Sequence, residues 1–258
     1  MHRRHMECIY GFGLLATLLL TLVPTPLLAA GNNAQSVPSF LELKDKWFDL
    51  VGASFRLEGR ATIVTKNYVK LKHCELTFRS SQPLPKLPGN SKVVEVSGRL
   101  AKDNDGQLFI EIDSIKELPT DLQTLRQRED ALPRGSSKEW YELAEWAAAR
   151  GKFYDDEELL KRAKAVNLKG LNIERQELKE VTPAALRTLA GRAHDLGLDE
   201  SLRFDLLHES FWSEWESLQK SAPPIDPNAD EIDVAKDPFF VFLERLDSDL
   251  PGATAKSE

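Results

Sequence analysis

The residues able to do chemistry in this 258-residue chain are few, and their spacing is poor for it. Cys74 follows His73, the pairing of a nucleophile with its base. On a strand, however, neighbouring side chains point to opposite faces, which separates the two. Cys74 therefore reads as a small buried hydrophobe. His73, His194 and His208 are isolated from one another, and none has zinc-ligand spacing. Ser217-x-x-Lys220 matches a Ser–Lys pair but has no companion motif, and it reads as a helix surface. Asp226-x-Asn228-x-Asp230 has the spacing of the first ligands of a calcium loop. Glu231 then stands where that loop needs glycine, and Asp237 where it needs glutamate. A solvated acidic linker accounts for those residues. A nucleophile elbow, a phosphate-binding glycine loop and a dinucleotide fingerprint are all lacking. Carboxylates are abundant, but no spacing singles out a catalytic pair. The sequence points away from an enzyme and assigns no catalytic residue, metal or cofactor.

The chain opens with His2-Arg3-Arg4-His5, continues through the apolar run Leu14–Val23, is broken at Pro24 and Pro26, and reaches the small-residue site Leu28-Ala29-Ala30. This order predicts a secretory signal peptide over residues 1–30, and hence a periplasmic or extracellular protein. Ile9 to Ala30 is nearly long enough to be a retained anchor instead, but the two prolines and the small residues favour cleavage. No later run approaches about 20 apolar residues, so no membrane span is expected after cleavage. Cys8 lies in the leader, which leaves Cys74 alone and no internal disulfide. Residues 31–120 carry 13 Lys/Arg against 11 Asp/Glu, whereas residues 121–258 carry 19 against 29. So acidic a second half would repel phosphate backbones, and this argues against nucleic acid as a partner.

The first half, residues 39–120, alternates with period two. Phe55, Leu57, Gly59, Ala61 and Ile63 form one face, as do Val94, Val96, Gly98 and Leu100, and then Leu108, Ile110 and Ile112. Half-buried strands have this pattern. Asp103-Asn104-Asp105-Gly106 is a tight hairpin signal, which explains its acidity without a metal. The apolar phase switches near Lys72-His73, which predicts a bulge or short turn. A proline-rich loop follows at Gln82–Gly89. Ser54–Val64 with its mid-strand Gly59, and Val93–Leu118 with Val96-Ser97-Gly98-Arg99-Leu100, resemble the OB-fold, in particular its small anticodon-binding-like modules. The resemblance covers about a third of the chain at the level of pattern. It implies a closed barrel with a ligand face for oligosaccharide or another anionic polymer. Tyr68, Lys70 and Lys72 on one strand, with Arg56 and Arg60 on another, are the candidate ligand-binding residues, because an aromatic among cations can stack and track anions. The competing reading is an ordinary solvated face.

The second half is helical, and it repeats. Leu143-Ala144-x-x-Ala147-x-x-x-Gly151 recurs 46 residues later as Leu189-Ala190-x-x-Ala193-x-x-x-Gly197, over residues 136–220. Ser136 with Glu139 predicts a capping box, Gly151 and Gly197 predict left-handed helix ends, and Thr182-Pro183 predicts an N-cap. Trp140-x-x-Leu143-Ala144-x-x-Ala147 resembles the first helix of a tetratricopeptide hairpin. The offset exceeds the usual ~34 residues and is nearer HEAT-type repeats. Hairpin repeats present surfaces to partners, so the resemblance implies another protein as the partner. Residues 221–258 read as an acidic, proline-rich linker and a short apolar helix led by Asp237-Pro238. Such an apolar segment must be covered, and it is expected to dock on the chain's own helices; read instead as a hook for another protein, it makes Phe239, Phe240, Phe242 and Leu243 the candidate partner-binding residues. The general architecture resembles that of exported proteins common in planctomycete bacteria, which implies no activity. The expectation is an α+β chain, a small OB-like β-barrel followed by an all-α helical hairpin repeat domain. It would act as an exported non-catalytic binding or scaffold protein, or alternatively bind an oligosaccharide or polyanion on the barrel.

Overall fold

The computed structural model describes residues 34–87, 89, 91–133, 136–221 and 237–250. The expected signal peptide and most of the expected linker lie outside these residues. The fold is α+β, with a closed five-stranded barrel followed by helices.

The barrel is built from β2 (Ser54–Val64), β3 (Tyr68–Leu71), β4 (Thr77–Arg79), β5 (Val93–Lys102) and β6 (Leu108–Glu117). The strands run β2–β3–β4–β6–β5, and β5 returns to β2 to close the ring. β4 and β6 are parallel, and the other barrel pairings are antiparallel. Period-two alternation turns Leu57, Val69, Leu71, Phe78, Val94, Val96, Leu100 and Ile110 into a common core. The hairpin turn forms as expected: Gly106 takes φ +85°, and Asp103 Oδ1 accepts from the amides of Asp105 and Gln107. The phase switch after β3 is a turn in which His73 adopts a left-handed backbone, φ 61°.

One end of the barrel is plugged by the segment that precedes it. β1 (Gln35–Ser36) pairs in parallel with Leu57 and Glu58 of β2. Ser36 then caps α1 (Val37–Leu41), whose first turn holds Pro38. Val37, Phe40 and Trp47 enter the barrel core, and Phe40 stacks on Trp47 with ring centroids 5.0 Å apart. Gly59 makes room for this plug, because a Cβ there would lie 2.6 Å from Val37 Cγ2.

The helical part begins with α2 (Asp121–Ala131), which the sequence reading did not predict. Its start is a complete capping box in which Thr120 and Gln123 satisfy each other's backbone amides. α3 (Ser137–Tyr154) and α4 (Glu157–Glu177) form one hairpin, and α5 (Pro183–Asp195) and α6 (Glu200–Ser221) form the second. Thr182 caps α5 through the Ala185 amide, and Gly197 takes φ +60° after it, both as expected.

The other two signals are corrected. Ser136 makes no side-chain cap bond, and Glu177 instead receives the amide and hydroxyl of Ser137. Gly151 does not end α3. The helix continues to Tyr154, and Asp155 takes the left-handed position at φ 52°. Gly151 serves packing instead, since a Cβ there would lie 2.9 Å from the Leu160 side chain. The second hairpin is covered by α7 (Pro238–Asp249), whose Phe242 enters the core formed by Leu186, Leu189, Leu206 and Phe211. Among the described residues no helix is long and apolar enough to cross a membrane.

Candidate functional site

Charged side chains on the outer surface of the barrel turn out to be its attachment to the helices. Alternation along β2 points Glu58 and Arg60 outward. The Arg60 guanidinium lies 2.6 Å from Asp156 Oδ2, and its Nε donates to Asp121 Oδ2, also at 2.6 Å. Asp121 is the first residue of α2 and Asp156 is the N-cap of α4, so both carboxylates sit at helix N-termini. Arg150 on α3 closes the network, with Nε 2.5 Å from Asp121 and Nη1 2.9 Å from Glu58. Both guanidinium groups approach the Tyr154 ring, at 4.8 Å for Arg60 and 5.4 Å for Arg150. Asp121 is 3% exposed, and only paired charges are tolerated at that depth.

Beside this network, Lys72 donates to the Tyr154 carbonyl at the end of α3 and lies 3.1 Å from Asp155 Oδ2. His73 Nε2 lies 3.2 Å from the same oxygen. Lys72 and His73 together hold the Asp155 carboxyl below the usual range. Further round the barrel, Arg56 binds Glu95 through two nitrogens at 2.7 and 3.1 Å, and Lys116 adds a third contact at 3.1 Å.

The five candidate ligand residues therefore divide. Arg56, Arg60 and Lys72 are held by acceptors of their own chain. Tyr68 and Lys70 remain on the outward face of β3, half-buried. Cross-strand register sets Arg79 opposite Tyr68, and Phe109 opposite Thr77. The Arg79 guanidinium lies 4.9 Å above the Phe109 ring and 3.3 Å from Asp103. The sequence reading missed Arg79 and Phe109. The outward positions of β4 and β6 carried that signal, but β4 is only three residues long and shows almost no period.

The C-terminal candidates divide as well. Phe242 is 6% exposed and meets Phe211 and Trp215, while Phe239 packs edge-on against Trp215. Arg245 of α7 reaches Glu214 of α6 at 2.5 Å. Phe240 and Leu243 face outward, 46% and 42% exposed, and α6 exposes Phe204 and Trp212.

The reactive groups have structural explanations. The Cys74 side chain is buried in the barrel core, and that burial pushes its thiol up to about 11, far from a nucleophile's range. His73 turns outward to Asp155 and packs edge-on against Phe153. Lys220 lies near Glu216, 3.9 Å away.

No known family and no curated protein matches this chain.

Proposed function

We propose that the protein is an exported, non-catalytic scaffold that binds another protein through its helical half. The observation that carries this reading is the pattern of exposure on α6 and α7. Their inner faces are packed by Phe211, Trp215 and Phe242, yet Phe204, Trp212, Phe240 and Leu243 remain in solvent. Large exposed apolar side chains mark association surfaces. Two successive hairpins ending in a covering helix support a tetratricopeptide-like or HEAT-like repeat, in which the terminal unit is capped. The repeat is short, and ion pairs with the barrel supply the support that further repeats would otherwise give.

The test is affinity capture from envelope extract with the full chain and with a Trp212→Ser/Phe240→Ser variant. A specific partner lost with the variant supports the reading. A partner retained by the variant, or none with either form, refutes it.

A second reading, an OB-fold that binds an oligosaccharide or polyanion, draws on the barrel. The strand order and the parallel β4–β6 pairing support it, as do Tyr68, Lys70, Arg79 and Phe109 on neighbouring outward positions. Titration with a heparin-type polyanion and with neutral oligosaccharides checks it. Binding abolished by Tyr68→Ala or Arg79→Ala supports it, and binding indifferent to both refutes it.

A further inference from the structure

α7 fits the second hairpin incompletely. Of its twelve residues only Phe242 is buried, with its ring 5.9 Å from that of Phe211 and 5.8 Å from that of Trp215. Phe239 is half-buried against Trp215, and Leu246 and Leu250 are half-buried at the edge of the core. Arg245 reaches Glu214 of α6, which also pairs with Arg187 of α5. At the far end Asp249 stops 3.7 Å from Arg187 Nε, beyond hydrogen-bond reach. That buried N–H has no acceptor among the described residues, although it faces the place α7 occupies.

Two further features separate α7 from a permanent cap. Sixteen residues, 222–237, lie between α6 and α7 in the chain, whereas packed neighbouring helices are commonly joined by about 2–8. Phe239 meets Trp215, only six residues before the end of α6, so a far shorter connection would serve. A terminal cap also carries a polar outer face. α7 instead turns Phe240, Val241 and Leu243 outward, all of them exposed.

We infer that the groove beneath α7 is a helix-binding site, which the chain's own tail occupies in competition with a partner. The partner is an amphipathic helix with the chemistry of α7. It carries aromatic residues at i and i+3 for Trp215 and Phe211, arginine at i+6 for Glu214, and leucine at i+7. An acidic residue at i+10 reaches Arg187 more closely than Asp249 does. This is the docking of a helix in a groove, with α7 as the pattern for the ligand. The site is a covered one, distinct from the exposed Phe204, Trp212, Phe240 and Leu243 that carry the protein-binding reading above, and it does not depend on that reading.

The probe is a labelled peptide of residues 237–250, followed by fluorescence anisotropy on the protein expressed from the full chain. A covalent tether holds α7 at an effective concentration of the order of millimolar, so the wild-type groove is expected to admit the peptide poorly. Phe242→Ser and Arg245→Glu each release α7 through a different contact. Each variant is expected to bind the peptide at least about tenfold more tightly than the wild type. The Arg245 side chain is 40% exposed, so its variant decides the question if Phe242→Ser fails to fold. A peptide carrying Phe242→Ser is expected not to bind. One carrying Asp249→Glu is expected to bind about threefold more tightly than the native peptide, the value of one modest hydrogen bond. Absence of binding to both released variants overturns the inference. So does equal binding to wild type and variants, or a Phe242→Ser peptide as tight as the native one. An Asp249→Glu peptide no tighter than the native one overturns the role given to Arg187. Dimers of the wild-type chain in sedimentation would place a second copy's α7 in the groove and overturn the assignment to a separate partner.

Discussion

His73 and Asp155 meet across the junction between barrel and helices, Nε2 to Oδ2 at 3.2 Å. They are also the two non-glycine residues with positive φ among those described, at 61° and 52°. Each ends an element: His73 follows β3, and Asp155 follows α3. A left-handed backbone turns each chain sharply enough to bring the two side chains together, and Lys72 joins them from the adjacent position. The strain is retained because the surrounding contacts over-determine it.

That strain can be separated from the side-chain contacts. His73→Gly and His73→Ala both lose the imidazole, but only alanine keeps the left-handed penalty. The glycine variant is expected to be more stable by about 1 kcal/mol. The same order is expected for Asp155→Gly over Asp155→Ala. Paired thermal melts check both, and alanine equal to glycine at both positions would remove the strain argument.

Arg60 is the central cation of the junction. Arg60→Ala leaves Asp121 buried with Arg150 as its remaining partner and takes the side-chain donor from Asp156. The expected loss is about 3 kcal/mol. Arg56→Ala, on the exposed side of the barrel, is expected to shift the urea midpoint far less, because Glu95 keeps Lys116. Equal midpoints for the two variants would count against a junction held by charge.

Acid is expected to weaken the fold from particular places. Burial pushes the Glu95 carboxyl up, but hydrogen bonds from Arg56 and Lys116 outweigh it and hold it low. Burial likewise opposes Asp156, and the Leu159 amide and Arg60 outweigh it. Lys72 and His73 lower Asp155. With folded values below the unfolded ones, the folded chain binds fewer protons. The stabilisation is complete above the ordinary carboxylate value of about 4 and is lost as pH falls through the lowered folded values. Stability measured from pH 7 downward should hold until about pH 4 and then drop, and Asp156→Asn should flatten that drop.

Two glycines offer a contrast. A Cβ at Gly98 would strike the Glu111 carbonyl oxygen and the Ile110 side chain where β5 crosses β6. Gly98→Ala is therefore expected to cost about 3 kcal/mol or more. At Gly191, inside α5, a Cβ would meet nothing within 4 Å. Gly191→Ala is expected to stabilise by about 0.5–1 kcal/mol through helix propensity and a less free unfolded chain. Denaturant titration distinguishes them, and opposite signs are expected.

Local order was legible wherever it depends on neighbours in sequence. Alternation marked β2, β5 and β6, the Asp103–Gly106 turn joined the last two, and Thr182 and Gly197 marked the ends of α5. Thr120-x-x-Gln123 was an equally good signal for α2 and passed unread. Gly151 misled because one residue type serves two purposes, and here it allows close helix packing instead of a helix end.

The sequence by itself determined the period of each segment, and with it which side chains point inward and which outward. It could not determine what stands opposite an outward side chain. Arg60, Lys72 and Lys70 look alike along the strands, but the acceptors that hold Arg60 lie 61 and 96 residues away at the N-termini of α2 and α4, and those of Lys72 lie at the end of α3. Only the packing of the helices onto the barrel brought those carboxylates near, because electrostatic pairing depends on distance in space and carries no period along the chain. The same packing left Lys70 and Tyr68 on the outward face of β3.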